Sequence, residues 1–307
     1  MYFIALFGFR FNNMNNDYDI INIDKVCNVL SLSGGGAYGA IEIGILESIP
    51  KLDHYDIITG ISVGGLNAGL LSYYNRDNLV DGIYKLKDIY SKMKTEDIYN
   101  HDFIDFNSKW AFYSTDAMRI TLHNIFNNIT SIDKYSDGTT FIGATNVNTG
   151  LLDIFDFNKL NKSDQIEVLM ASTAIPIVFP PNKINSSMYV DGGVISNQIL
   201  IGLGGKVKCD FYNITYITSY NSIKSTDKIN YLTDYISRLF NIIYDTFDNE
   251  MSLLKSLKCI NPIGKIHYYY SNNSYFSNYS ILDMSHGKDL INIGSKYNYL
   301  EIFDYCL

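Results

Sequence analysis

Residues 26–74 run twice through one local plan, which is an apolar stretch, a turn of small residues and then apolar residues at helical spacing. In the first copy the run Val26 to Leu32 ends at Ser33-Gly34-Gly35-Gly36-Ala37-Tyr38-Gly39, and residues 37–49 carry Ala40, Ile41, Ile43, Ile45 and Leu46 on a helix. In the second copy, residues 55–59 lead into Gly60-Ile61-Ser62-Val63-Gly64, and residues 66–74 form the helix. A strand, a glycine turn and a helix repeated this closely specify parallel βαβ construction, so the fold class is α/β. Both glycine turns then fall at the carboxyl ends of their strands, where open α/β sheets place their chemistry.

The rest of the chain extends this plan. Residues 1–9 read as a strand and 12–24 as loop, while 79–92 and 115–127 read as helices of an insertion or cap over the sheet edge. Residues 139–145 and 151–155 are expected strands joined by a turn at 146–150. A helix over 163–172 must stop near Pro176, since Ile175-Pro176 and Pro180-Pro181 impose a rigid non-helical loop. The strand 188–190 delivers Asp191-Gly192-Gly193, and further on come a strand at 211–218, a long helical region at 229–257, an edge strand at 267–270 and a terminal helix at 285–303.

Composition narrows the function classes. With 32 acidic against 24 basic residues and a formal charge of -8, the chain has no basic footprint, and no nucleic-acid partner is expected. Cys27, Cys209, Cys259 and Cys306 contain no Cys-x-x-Cys pair, which argues against a zinc cluster or redox motif and leaves buried free thiols. No run approaches the roughly 20 apolar residues needed to span a bilayer. The short apolar start ends at Arg10 without a signal-peptide pattern, so the expected location is cytoplasmic, with at most peripheral membrane contact.

The turns carry the chemistry. Gly34-x-Gly36-x-x-Gly39 fits the dinucleotide fingerprint in form, but neither Asp53 nor Asp56 follows the second strand as a ribose ligand should. Successive glycines present backbone amides that serve a phosphate and a developing oxyanion equally well. Gly60-Ile61-Ser62-Val63-Gly64 has the nucleophile-elbow form, in which flanking glycines permit the strained turn that exposes Ser62. A serine needs a base, and none of His54, His101, His123, His267 and His286 follows a late strand-end glycine turn. Asp191, at a strand end before two glycines, is the alternative partner, although Asp-Gly-Gly taken alone reads first as a plain turn.

Together with 171–181, Ala-Ser-Thr-Ala-Ile-Pro-Ile-Val-Phe-Pro-Pro, these turns resemble the patatin-like phospholipases over about residues 26–197. The resemblance implies a three-layer α/β/α domain with a mostly parallel central sheet, spanning 1–307 with a helical C-terminal extension at about 229–307. It implies Ser62 as nucleophile, Asp191 as base, and the Gly35 and Gly36 amides as oxyanion hole. Gly34, Tyr38, Gly39, Gly60, Gly64, Gly192 and Gly193 support them, and Ser172 and Thr173 support the loop structure. It further implies no metal or cofactor, a phospholipid or other acyl ester as substrate, and room for an activating protein partner. One departure is Tyr38, which stands where the family usually has Arg or Lys. The competing readings are an inactive member that binds lipid or a partner protein, and a nucleotide-binding oxidoreductase.

Overall fold

The structure is a computed structural model that describes residues 9–11, 21–22, 26–50, 53–74, 78–100, 110–129, 139–199, 207–209, 211–218, 238, 254–255, 264–272, 275 and 279–302. Its strands are β1 (Phe9–Phe11), β2 (Ile21–Asn22), β3 (Val26–Leu32), β4 (Ile57–Ile61), β5 (Thr139–Asn146), β6 (Leu151–Asp156), β7 (Asn182–Ile184), β8 (Ser187–Asp191), β9 (Val207–Lys208), β10 (Phe211–Thr218), β11 (Ile266–Tyr270) and β12 (Asn298–Glu301). The helices are α1 (Gly39–Ser48), α2 (Val63–Leu71), α3 (Leu79–Lys92), α4 (Asp116–Asn128), α5 (Lys162–Ser172) and α6 (Gly287–Gly294).

The main sheet runs β1-β6-β5-β4-β3-β10-β11-β12, with β7 and β8 attached at β5, while β2 and β9 pair separately. Its centre, β5-β4-β3-β10-β11, is parallel, and the β5-β6, β5-β8 and β11-β12 pairs are antiparallel. This is the expected α/β architecture, a mixed sheet flanked by helices. The central strands are apolar on both faces, as strands covered on two sides must be. Leu30, Leu32 and Ile58 pack under the helices, and Val29, Ile57 and Ile61 form a second core in which Leu254 is fully buried.

Three segments differ from the sequence expectation. α3 is no cap over an edge, because Leu79, Ile83, Leu86 and Tyr90 are buried in the main core. The terminal helix expected over 285–303 is shorter, and the chain turns after Gly294 into β12. β12 covers β11, which is therefore not the edge strand, and the helical extension expected at about 229–307 contains two strands of the main sheet within its described part. Covering an open edge satisfies backbone groups that would otherwise remain unpaired, a tertiary gain that helical periodicity does not reveal. The helical region at 229–257 lies outside the described residues, apart from 238 and 254–255.

Cys27 and Cys209, expected as free thiols, form a disulfide with a Cα–Cα distance of 5.8 Å. Their separation of 182 residues concealed what the sheet makes simple, since β3 and β10 start side by side. Cys259 and Cys306 lie outside the described residues.

α1 and α6 touch backbone to backbone. A methyl group at Gly44 would stand 2.0 Å from Ile291 O, and one at Gly294 would stand 2.1 Å from Ile41 O. Gly44→Val is therefore expected to destabilise the protein by about 3 kcal/mol through overpacking, read as a lower urea midpoint.

Candidate active site

Strand geometry brings the two separated motifs together. β4 ends at Ile61, which pairs with Gly143 of β5, and the next β5 residue, Ala144, pairs with Asp191 of the oppositely directed β8. β6 occupies the other side of β5, so β4 and β8 meet end to end along one flank. Ser62 leaves the end of one strand as Asp191 leaves the end of the other. Ser62 Oγ–H donates to Asp191 Oδ2 at 2.6 Å, and both residues are buried, at 3% and 0% exposure. The second oxygen, Oδ1, accepts from Gly193 N–H at 2.8 Å, which orients the carboxylate. Asp191 N–H donates to Ala174 O at 2.9 Å and ties the strand end to the proline loop.

Ser62 has φ 54° and ψ -125°, a strained conformation for a residue with a Cβ. The turn stays tight because Gly60 and Gly64 nearly touch. A methyl group on Gly60 would stand 2.2 Å from Gly64 O, and one on Gly64 would stand 2.3 Å from Ser33 O. Behind the turn, Ser172 Oγ accepts from Ser62 N–H at 2.9 Å and donates to Gly143 O at 2.7 Å. Ser172 thus links the elbow to β5 at the residue where the sheet changes partners.

The glycine loop lies against this elbow, since a methyl group on Gly34 would be 3.1 Å from Ser62 Cβ. Most of its amides are committed: Gly34 N–H to Asn197 O, Ala37 N–H to Ile281 O and Tyr38 N–H to Gly35 O. Among the described residues, the Gly35 and Gly36 N–H groups have no acceptor. Gly36, at φ 56°, opens a short 3-10 turn that runs directly into α1, so these amides stand where the helix dipole favours negative charge. The arrangement offers a nucleophile, a proton acceptor and backbone donors side by side.

Tyr38 is buried and donates through its hydroxyl to Tyr279 O at 2.6 Å. Burial pushes its pKa well above the ordinary tyrosine value, so the hydroxyl keeps its proton and acts as a neutral anchor. Thr173 Oγ1 turns back to Leu169 O at 2.9 Å and caps the end of α5. Sequence reading missed Asn197, Tyr279 and Ile281, whose backbone carbonyls hold the loop. A carbonyl acceptor leaves no mark on residue type, so only the Asn197 position, close behind Asp191-Gly192-Gly193, offered a signal.

Three of the described histidines have partners elsewhere, and His101 lies outside the described residues. His267 Nδ1 lies 2.7 Å from Tyr299 Oη on the β11-β12 pair, with its pKa lowered chiefly by burial. His54 faces Asp56, and His286 lies between Asp283 and Asp289. No histidine hydrogen-bonds Ser62, and no group of three potential metal ligands is found, among the described residues.

The family model described as patatin-like phospholipase matches residues 30–201, more than half of the chain, and the chain belongs to that family. It is 28% identical over 213 residues to the cGAMP-activated phospholipase of Escherichia coli (strain TW11681), covering 59% of this chain and 56% of that protein. It is 26% identical over 261 residues to the probable lipid hydrolase 463L of Invertebrate iridescent virus 6, covering 81% and 89%. The cGAMP-activated phospholipase of Vibrio cholerae is 23% identical over 211 residues, covering 60% and 59%. The chain thus spans little more than half the length of the two bacterial relatives. Family membership carries lipid hydrolase activity at the level of the family.

Ser172→Ala is expected to lower stability by about 2 kcal/mol, because a buried N–H at Ser62 and a carbonyl at Gly143 both lose their partner. Urea unfolding measures this loss, and the slower reaction of Ser62 with a fluorophosphonate measures the loosening of the elbow.

Proposed function

We propose that the protein is a metal-independent lipid acyl hydrolase of the phospholipase A or lysophospholipase type, working through a Ser62–Asp191 dyad. The observation that carries this reading is the 2.6 Å contact between Ser62 Oγ and Asp191 Oδ2, made in a buried site beside two uncommitted loop amides. An exposed carboxylate is a poor acceptor for a hydroxyl proton. Exclusion of water and a fixed short contact improve it, because charge interactions strengthen as the local dielectric falls.

In the first half-reaction, Asp191 takes the Ser62 proton as Oγ bonds to the acyl carbonyl carbon. The carbonyl oxygen becomes negative and accepts from Gly35 and Gly36 N–H, an interaction that grows as charge develops. The C–O bond to the glycerol side then breaks, and the departing oxygen takes the proton from Asp191. In the second half, water gives a proton to Asp191 and attacks the acyl carbon. The fatty acid leaves, and the proton returns to Ser62. The chain's own residues complete the cycle without a cation.

Apolar side chains are exposed on the segments that adjoin the proposed dyad. Ile177, Val194 and Ile195 are exposed, on the two loops joined by the Asp191 N–H to Ala174 O bond. Ile177 has φ 71°, costly for a β-branched residue, while its carbonyl holds Phe112 N–H at 2.9 Å. A strained, exposed isoleucine on the loop that Asp191 N–H anchors at Ala174 suits contact with acyl chains at a membrane surface. No helix among the described residues is long and apolar enough to cross a membrane.

Ser62→Ala and Asp191→Asn should each reduce fatty acid release from mixed phospholipid vesicles by about 10³-fold or more. A fluorophosphonate adduct should appear on Ser62 alone. Turnover by either variant at the wild-type rate would refute the dyad. Ile177→Asn should separate two effects: Asn tolerates positive φ, so stability should rise by about 0.5–1 kcal/mol. Vesicle hydrolysis should meanwhile fall about tenfold, with a much smaller change on a soluble short-chain ester.

A further inference from the structure

Glu42 is a fully buried carboxyl in the first turn of α1, and the dyad does not use it. Its Oε1 accepts from Ser33 N–H at 2.8 Å and lies 3.2 Å from Ser33 Oγ, whose hydroxyl is shared with Gly34 O at 3.1 Å, immediately before the glycine loop. Its Oε2 accepts from Asn67 Nδ2–H at 2.9 Å, on the helix that begins just after Ser62. Asn67 is fixed in this orientation, because its Nδ2 also donates to Gly39 O at 3.2 Å and its Oδ1 accepts from Tyr90 Oη–H at 2.8 Å. One carboxyl therefore connects the glycine loop to the helix that begins just after Ser62.

Building on the hydrolase reading above, we propose that Glu42 is a positioning residue whose ionised carboxylate locks the glycine loop to the Ser62 helix. Turnover then rises with pH as Glu42 loses its proton. Buried carboxylates ordinarily have a cationic partner. Among the described residues Glu42 has hydrogen-bond donors instead, and the titratable group facing it is Tyr90, whose own pKa is pushed up by burial and then by Glu42. On the surrounding helices, Lys87 is held by Glu47 at 2.6 Å, His286 by Asp283 at 3.2 Å, and Lys288 and Asp289 are exposed.

The geometry distinguishes the two protonation states. A proton on Oε2 would meet the Asn67 N–H donor, and one on Oε1 would turn the Ser33 hydroxyl fully onto Gly34 O and weaken the hold on Ser33 N–H. Ionised, the carboxylate accepts from Ser33 N–H and Asn67 Nδ2–H and shares the Ser33 hydroxyl with Gly34 O. Burial raises its pKa to about 8, opposed by the bonds from Asn67 and Ser33, so the change falls within a usable pH range. Between the ordinary value of 4.5 and about 8, the folded protein holds a proton that the unfolded chain has released. The contribution of Glu42 to stability therefore falls as pH rises through that window. Tightening of the loop and loss of stability are coupled to the same proton.

The test compares kcat and KM of the purified full chain on p-nitrophenyl butyrate from about pH 6 to about pH 10 for wild type, Glu42→Gln and Tyr90→Phe. Wild-type kcat should rise about tenfold with a midpoint near the Glu42 value, as expected when donor geometry improves. Glu42→Gln should stay on the lower plateau, with KM within about twofold of wild type. Tyr90→Phe frees Asn67 and should move the midpoint to higher pH. Thermal unfolding across the same range gives a readout independent of any ester, and Glu42→Gln should remove part of the wild-type fall in stability. Wild-type and Glu42→Gln profiles that coincide in kcat and in unfolding would overturn the inference while leaving the hydrolase reading intact. A wild-type protein with neither turnover nor a fluorophosphonate adduct on Ser62 would instead overturn the hydrolase reading, and this inference with it.

Discussion

The structure turns on how β5 shares one flank between two strands of opposite direction. β4 pairs with it as far as Gly143, and β8 takes over from Ala144, so the ends of β4 and β8 face each other. Two hydrogen-bonded ladders fix this meeting, which makes the Ser62–Asp191 contact a consequence of sheet register more than of loop placement. A slip of one residue on β8 would turn the Asp191 side chain to the opposite face. The antiparallel strand in an otherwise parallel centre is thus the feature on which the site depends. Ser172 strengthens the junction by bonding to the elbow amide and to Gly143 O together.

The glycine loop has the opposite character. A run of glycines costs conformational entropy on ordering and contributes no side chains to hold it, so its shape must come from its surroundings. Asn197 O, Ile281 O and the Tyr38 hydroxyl on Tyr279 O supply contacts from distant parts of the chain. Glu42 and Asn67 hold its entrance from beneath. Among the described residues, the amides of Gly35 and Gly36 are left over once the other loop donors are committed, which is the condition under which backbone donors can serve a substrate.

The first two βα units were readable because their signals are local. β3 spans the expected residues, α3 and β10 coincide with their predicted bounds, and the two small-residue turns lie at strand ends. What sequence could not convey was long-range: the pairing of β11 with β12, the Cys27–Cys209 link and the inward packing of α3. Periodicity over 285–303 suggested a single helix, but Gly294 ends α6 where it meets α1, and the remainder covers a strand edge. Ser62 and Asp191 stood out by their turns. Glu42 did not, because a glutamate near a helix start reads as an ordinary favourable charge at the helix dipole. Its burial becomes visible only when the strand before it and the helix after Ser62 are packed around it.

Tyr38 brings these threads together. A cation at this position would need an anion or exposure to water, whereas the tyrosine is buried and finds a carbonyl acceptor in Tyr279. The neutral hydroxyl binds the loop to the C-terminal segment without placing positive charge beside Ser62 and Asp191. Exchanging the cation for this anchor removes a long-range charge from the site and makes the loop depend on residues 279–281. The C-terminal third, which carries no recognisable motif, thereby acquires a part in holding the loop: it supplies the acceptors for Ala37 N–H and the Tyr38 hydroxyl, next to the amides of Gly35 and Gly36.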